Sequence, residues 1–159
     1  MQSPNGYQIT DTLFSSSSAR VFRGWRESDH LPVILRACSE NATPSQEARL
    51  AASAEVLKLF DHPNIVNLLE CAHFRNQAYL VMADKQAISL SQYAETFTDK
   101  RIPIDNFLHI AIQLADALSV IHHAQVIHKD LHPGNILITP NKQSVQIIDF
   151  GLASLLSRE

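Results

Sequence analysis

Asp130 and Asn135 fall five residues apart in the run His128-Lys129-Asp130-Leu131-His132-Pro133-Gly134-Asn135, and fourteen residues after Asn135 comes Asp149-Phe150-Gly151. Carboxylate and amide oxygens are hard donors of the kind magnesium takes, and Asp130, Asn135 and Asp149 all carry them. The chain also holds eight histidines, and His122, His123, His128 and His132 stand close together in sequence. That crowding raises a transition-metal reading, which the spacing does not support. His128 and His132 occupy a loop rather than successive turns of one helix, and no cysteine pair completes a zinc set. His122 and His123 close a helical stretch, where a positive charge complements the carbonyl dipole.

The elements that must position these residues follow from periodicity and punctuation. The segments 7–14 and 19–25 have strand-like residues on either side of Ser15-Ser16-Ser17-Ser18, which reads as a hairpin turn. Leu31 to Cys38 is the next strand. Thr43-Pro44-Ser45-Gln46-Glu47 has the cap, early proline and early acid of a helix start, and the helix is expected to run to about Phe60, where Asp61-His62-Pro63-Asn64 stops it. Strands are expected over 65–74 and 77–83. Pro103 and Asp105 open a long helix in which Leu108, Ile112, Ala115, Leu118 and Ile121 recur at helical spacing. Two short apolar runs, 135–139 and 145–150, then flank the turn-like Pro140-Asn141-Lys142. The order predicts an α+β fold with the sheet segregated early.

Composition bounds the rest. With 159 residues, 45% hydrophobic and 18% charged, the chain suits one folded globular domain. A formal charge of −3 gives no electrostatic case for nucleic acid or an anionic membrane as the main partner. The start lacks the basic and apolar regions of a signal peptide, and no run approaches the roughly 18 apolar residues that span a bilayer. Cys38 and Cys71, far apart in sequence, read as reduced thiols. A cytoplasmic protein is expected.

The loop from Ile127 to Leu137 resembles the protein-kinase catalytic loop, H-R-D-L-x-x-x-N, with Lys129 in place of the arginine, and Asp149-Phe150-Gly151 resembles that family's metal-binding triplet. Further likenesses lie upstream. Asp61 to Val66 is similar to the turn before the family's fourth strand, Ala78 to Met82 to its fifth strand, and Ser89-Leu90 to the start of the next helix. The resemblance covers about residues 7 to 158. It is similar in texture, through segments such as RGWRESDHLPVIL and HKDLHPGNIL, to the N-terminal kinase-like module of large bacterial multi-domain sensor histidine kinases. It implies a protein-kinase-like fold with a small β-rich lobe and one regulatory helix over 1–84, followed over 85–159 by the start of the helical lobe. It also implies ATP and magnesium as ligands, with transfer of the γ-phosphoryl group to a serine or threonine hydroxyl. Asp130 then orients or accepts the hydroxyl proton, Asn135 and Asp149 hold magnesium, and His132 stands where such kinases carry a lysine that touches the transferred phosphate. Val21, Ile34, Arg36, Met82, Ala83, Lys85 and Leu137 become nucleotide contacts, with Met82 as gatekeeper and Ala83 to Lys85 as hinge. Leu57, Leu68, His128 and Phe150 become the internal spine.

The small-lobe pattern departs from the family's. The three glycines of the phosphate-covering loop fall at Phe14, Ser16 and Ala19, so the serine run reads as a mobile tip rather than a cradle. Arg36 replaces the strand lysine, and a planar fork does not reproduce an ammonium point charge. The family's helix glutamate falls at Ser53, while Glu55 lies about 200° further round the helix. Ile34 replaces a small alanine above the adenine. The chain reaches Glu159, eight residues after Gly151, so the family's activation segment and later helices are not among these residues. The long helix is then expected to present apolar surface, and these residues alone are not expected to transfer phosphate. A kinase domain is the leading reading; a pseudokinase-like regulatory module, or a remnant without function, is the alternative.

Overall fold

The computed structural model describes residues 3–75, 77–141 and 143–156. Its elements in chain order are β1 (Tyr7–Ser15), β2 (Ala19–Arg26), β3 (Pro32–Cys38), α1 (Pro44–Leu57), β4 (Leu68–Phe74), β5 (Gln77–Ala83), β6 (Ile88–Ser89), α2 (Leu90–Glu95), α3 (Ile104–His123), β7 (Val126–Ile127), β8 (Ile136–Thr139), β9 (Ser144–Ile147) and β10 (Ser154–Leu155). They group into two compact units, one of Met1–Lys58 with Asn67–Lys85 and one of Leu59–Val66 with Gln86–Glu159.

The first unit is a five-stranded antiparallel sheet in the order β1-β2-β3-β5-β4. Alternation along β3 decides its two faces: Val33, Leu35 and Ala37 are fully buried, and Ile34 and Arg36 half-buried. The Val33 face builds a core with Tyr7, Phe22, Tyr79 and Val81. On the other face, Leu50 and Ala54 of α1 pack with Cys38 and Leu80. Thr43 caps α1 in a full capping box, its hydroxyl accepting from Gln46 N–H while the Gln46 side chain accepts from Thr43 N–H. The helix ends at Leu57, one turn short of the expected Phe60, because the segment from Leu59 belongs to the other unit. Gly24 on β2 allows the bulged β1 to lie close. A Cβ there would sit 2.1 Å from the Gln8 carbonyl oxygen.

In the second unit, α3 packs against β7 and β9, and β6-β8-β9 form a small sheet. Ile110 of α3 joins Tyr93, Ile136, Ile138 and Val145 in a core, and Ala117 and Ile121 are fully buried. The helical spacing read from sequence gives this helix, and the apolar surface expected of it is present. Leu108 and Ile112 lie half or more exposed, with Ile104 and Phe107 beside them, since α3 is apolar on more than one side and the sheet takes only the Ile110 side. By length and composition α3 is also the one described helix apolar enough to cross a membrane, although it holds no continuous apolar run of that length. Polar bonds tie it into the unit: Asn64 donates to Gln113 at 2.8 Å, and Gln113 donates to the Gln143 carbonyl at 2.7 Å.

Leu59–Val66 is held as tightly. The Asn64 amide donates to the Val145 carbonyl at 2.8 Å, Gln146 donates to the carbonyls of Pro63 and Ile65, and Ile65 bridges Ile147. These bonds explain why Ile65 and Val66 leave the strand expected over 65–74, which begins at Leu68. Ser89 caps α2 in a second capping box, at the helix start read from sequence. In the turn read at Pro140-Asn141-Lys142, Lys142 lies outside the described residues.

One titration reports on the small sheet. Tyr7 of β1 is 4% exposed and its hydroxyl donates to Glu70 of β4 at 2.7 Å. Burial first, then the Glu70 bond and charge, push the phenol up to about 12. The unfolded phenol ionises near 10, so the folded chain keeps a proton the unfolded chain gives up, and this contribution to stability is lost as pH rises from about 10 toward about 12. Urea unfolding at about pH 9 and about pH 11 is expected to show a marked loss of stability in the native chain. The loss is expected to be smaller in Tyr7→Phe, with a remainder from Tyr79, which burial also raises. Equal losses in the two proteins would refute the assignment.

Candidate catalytic loop and nucleotide face

Between β7 and β8 the chain must turn back while keeping polar groups in place, and His128 organises that turn. It is 3% exposed, and its Nδ1 accepts the Asp130 N–H at 3.3 Å. The proton therefore lies on Nε2, which donates to the Ile148 carbonyl at 2.9 Å. The His128 ring meets Phe150 edge-on at 4.7 Å, and Phe150, 1% exposed, also packs on Phe60 at 5.6 Å. Phe60 is a partner the sequence reading missed, since nothing in its local pattern points past the end of α1. Leu57 and Leu68, read as further spine members, lie in the first unit.

Asn135 is buried in a short 3-10 turn and spends its amide nitrogen on Asp130, donating to the backbone oxygen at 2.9 Å and to Oδ2 at 3.1 Å. That leaves the amide oxygen as the group Asn135 offers to a cation. The Asn135 carbonyl accepts the Ile148 N–H at 3.0 Å, so two bonds, with that of His128, lash the residue before Asp149 to the loop. Asp149 has φ of 64° and Lys129 φ of 65°. A non-glycine residue in this left-handed region costs about 1–3 kcal/mol, and such strain gathers where function requires a side chain in a particular direction. At Asp149 it ends β9 early, at Ile147 rather than Phe150, and the Asp149 carboxylate accepts the Gly151 N–H at 3.1 Å.

His132 is half exposed, with Nδ1 accepting the Gly134 N–H at 3.1 Å. Its proton is thus on Nε2, which lies 3.9 Å from Asp130 Oδ2. Gly134 is needed for this seat, because a Cβ there would meet the His132 ring at 2.8 Å. The structure therefore brings Asp130, His132 and Asn135 together, with Asp149 anchored beside Ile148. Leu137 is half-buried on β8, opposite Gln146 on β9 and Ser89 on β6. Among the described residues no cluster of three or more histidine, cysteine or acidic side chains forms a transition-metal site. One amide oxygen and one carboxylate fit magnesium, which keeps water and substrate phosphate for its remaining positions.

In the first unit, strand register collects the other expected residues. Val21 pairs with Arg36, and Ile34 with Met82, so these four share the face on which α1 packs. Ala83 follows at the end of β5, and Lys85 is exposed beyond it. Between them Asp84, whose side chain is 5% exposed, takes Arg23 Nε at 2.6 Å and fixes that segment. Ser53 is buried in α1 with its hydroxyl unpartnered, while Glu55 points outward to Lys58. The serine run, read from sequence as a tip rather than a phosphate cradle, has a bonded turn at its centre. The Ser16 hydroxyl accepts from the N–H groups of Ser18 and Ala19, and Ser39 bonds the carbonyls of Ser17 and Ser18. Donors that a glycine loop would turn toward phosphate are consumed locally.

Comparison with known proteins agrees with this geometry. The protein kinase domain family matches residues 7–159. The chain is 28% identical, over 95% of its length, to serine/threonine-protein kinase unc-51 of Caenorhabditis elegans, covering 19% of that protein. It is 30% identical, again over 95%, to the probable serine/threonine-protein kinase PknB of Lactococcus lactis, covering 24% of it. With human serine/threonine-protein kinase ULK3 the figures are 29% identity, 96% of this chain and 33% of the relative. The chain thus spans a third or less of each of these relatives. With the matched loop, triplet and five-stranded sheet in place, the chain belongs to the protein kinase domain family.

Proposed function

We propose that this chain supplies the ATP-binding and catalytic-loop part of a serine/threonine protein kinase domain, which moves the γ-phosphoryl group of ATP to a protein hydroxyl. The observation that carries this reading is the clasp of Asn135 on Asp130, with the neighbouring Asp149 held in a strained left-handed conformation. In the proposed mechanism Asp130 orients the incoming hydroxyl and accepts its proton. Asn135 keeps that carboxylate in place with its nitrogen and turns its oxygen to the cation. Asn135 and Asp149 would hold magnesium, which neutralises phosphate charge when bound. His132 presents an Nε2–H beside Asp130, a donor for the transferred group where a lysine is usual. In the first unit the Val21, Ile34, Arg36 and Met82 face is the proposed nucleotide face, with Ala83 and Lys85 as hinge contacts. Leu137 is the proposed nucleotide contact of the second unit. The texture of 24–36 and 128–137 is the ground for placing the chain with the kinase-like modules of bacterial sensor histidine kinases. A cytoplasmic location, with its supply of MgATP, belongs to the same proposal.

A second reading has its own support. Ser53 offers no carboxylate where the family has its helix glutamate, and the Ser16 hydroxyl takes loop N–H groups that would face phosphate. These features favour a pseudokinase-like regulatory module that keeps the fold while its grip on phosphate weakens.

Thermal unfolding with and without MgATP separates the two. At a hundredfold excess over the dissociation constant, a ligand of the folded state adds about 2.7 kcal/mol. The kinase reading expects this shift in the native chain and its loss in Asp149→Asn; a cooperative transition indifferent to MgATP in both would favour the regulatory module. Separately, Asn135→Ala removes the donor to the Asp130 carbonyl and is expected to cost about 1–3 kcal/mol in urea unfolding. A cost near zero would show that the clasp does not hold the loop.

A further inference from the structure

On the face of the small sheet opposite α1 there is a cavity of about 660 Å³, formed entirely within the first unit. Its lining is mixed: on the apolar side Phe22 and Tyr79 belong to the buried core of that face, and Ile9 and Phe74 pack against it. Two guanidiniums, Arg20 and Arg75, and one carboxylate, Glu40, complete the charged lining. The volume lies within the range of small-molecule sites, and three aromatic rings stand beside the charged groups.

The polar groups are unequally satisfied. The Gln77 side-chain oxygen accepts from Arg20 at 2.9 Å and from the Tyr79 hydroxyl at 3.1 Å, and its nitrogen donates to the Cys38 carbonyl, so Gln77 is fully committed. Arg20 stacks on the Phe22 ring, its side chain only 22% exposed. It pairs through one terminal nitrogen with Glu40 at 2.9 Å, yet its Nε is buried without a partner. The Nε is sealed from the cavity, so the part of Arg20 open to a ligand is its outer edge. Glu40 holds that edge loosely: its side chain is 80% exposed and reaches one nitrogen of a fork built to hold a carboxylate with two. Arg75 lies over Phe74 and pairs with no carboxylate among the described residues.

We propose that this cavity binds a small aromatic or bulky apolar carboxylate. Its ring lies against Phe22, Phe74 and Tyr79, and its carboxylate takes the Nη1–Nη2 edge of Arg20 once Glu40 swings into solvent and releases Nη1, with Arg75 as second cation. Glu40 already shows that a carboxylate reaches Arg20, and two cations against one acid leave room for a second negative charge. The site is independent of nucleotide and of the kinase reading.

The probe is 1-naphthoate, titrated into the ¹⁵N-labelled chain while the Arg Nε–H and backbone resonances of the small sheet are followed by NMR. Saturable shifts are expected at Arg20 Nε and along Phe22 and Tyr79, undisturbed by MgATP, with 1-naphthalenemethanol binding far more weakly. Glu40→Gln, at a position whose side chain is exposed, is expected to tighten binding roughly two- to fivefold by removing a competing ion pair. Arg20→Lys, which keeps the charge and loses the fork, is expected to abolish the shifts. Absence of saturable shifts in the folded native chain would overturn the proposal. So would binding that is equal in Arg20→Lys, or that MgATP displaces.

Discussion

His128 takes the Asp130 N–H on one ring nitrogen and gives a proton to the Ile148 carbonyl from the other, and every other feature of the candidate site is arranged around that imidazole. A ring buried between two chain segments has only these two polar atoms to satisfy, and both are satisfied by backbone. Rotation of the ring would strand two hydrogen bonds in an apolar setting against Phe150. The bond therefore sets the separation of two stretches that are twenty residues apart, the one bearing Asp130 and the one bearing Asp149. The Asn135 carbonyl repeats the lashing at the Ile148 N–H, so the backbone of Ile148 is held at both its donor and its acceptor. Strain at Asp149 and Lys129 persists because these flanking bonds over-determine the backbone between them.

Much of this was legible in the sequence for a definite reason. Groups that coordinate a cation and orient a hydroxyl admit few residue types, and their spacing is set by a tight loop and a hairpin. Asp130, Asn135 and Asp149 were therefore readable through the likeness of their loop and triplet to the protein-kinase motifs. The capping boxes at Thr43 and Ser89 were readable for a similar reason: a helix start is satisfied by residues within three positions of one another. Strands of five or more residues announced themselves by composition and alternation.

What sequence missed is what long-range contacts decide. The two-residue strands β6, β7 and β10 carry no period and exist only because a partner strand lies alongside. Ile65 and Val66 have the composition of a strand, but the bonds of Asn64 and Gln146 take them into the other unit. The spacing on α3 gave the helix, but a helix apolar on several sides does not say which side its sheet will choose. Nor does the serine turn carry any local sign of Ser39, about twenty residues away, which bonds two of its carbonyls.

The two units treat their polar groups differently, and that difference bears on how the family chemistry has changed here. Around Asp130 the buried polar side chains have partners, and each partner restricts where a functional oxygen can go. In the sheet unit, by contrast, the Ser53 hydroxyl and the Arg20 Nε are buried without any. On the proposed reading Ser53 stands where the family has a glutamate, and its hydroxyl reaches nothing. Relaxed demand on the first unit would then permit both the absent carboxylate and a serine turn that spends its own N–H groups. The loop of the second unit holds Asp130 and Asn135, with Asp149 strained beside it. Under the proposed function such divergence follows from the chemistry: a catalytic loop must meet a transition state within tenths of an ångström, whereas the proposed nucleotide face of Val21, Ile34 and Met82 relies on apolar contact that many side chains can supply.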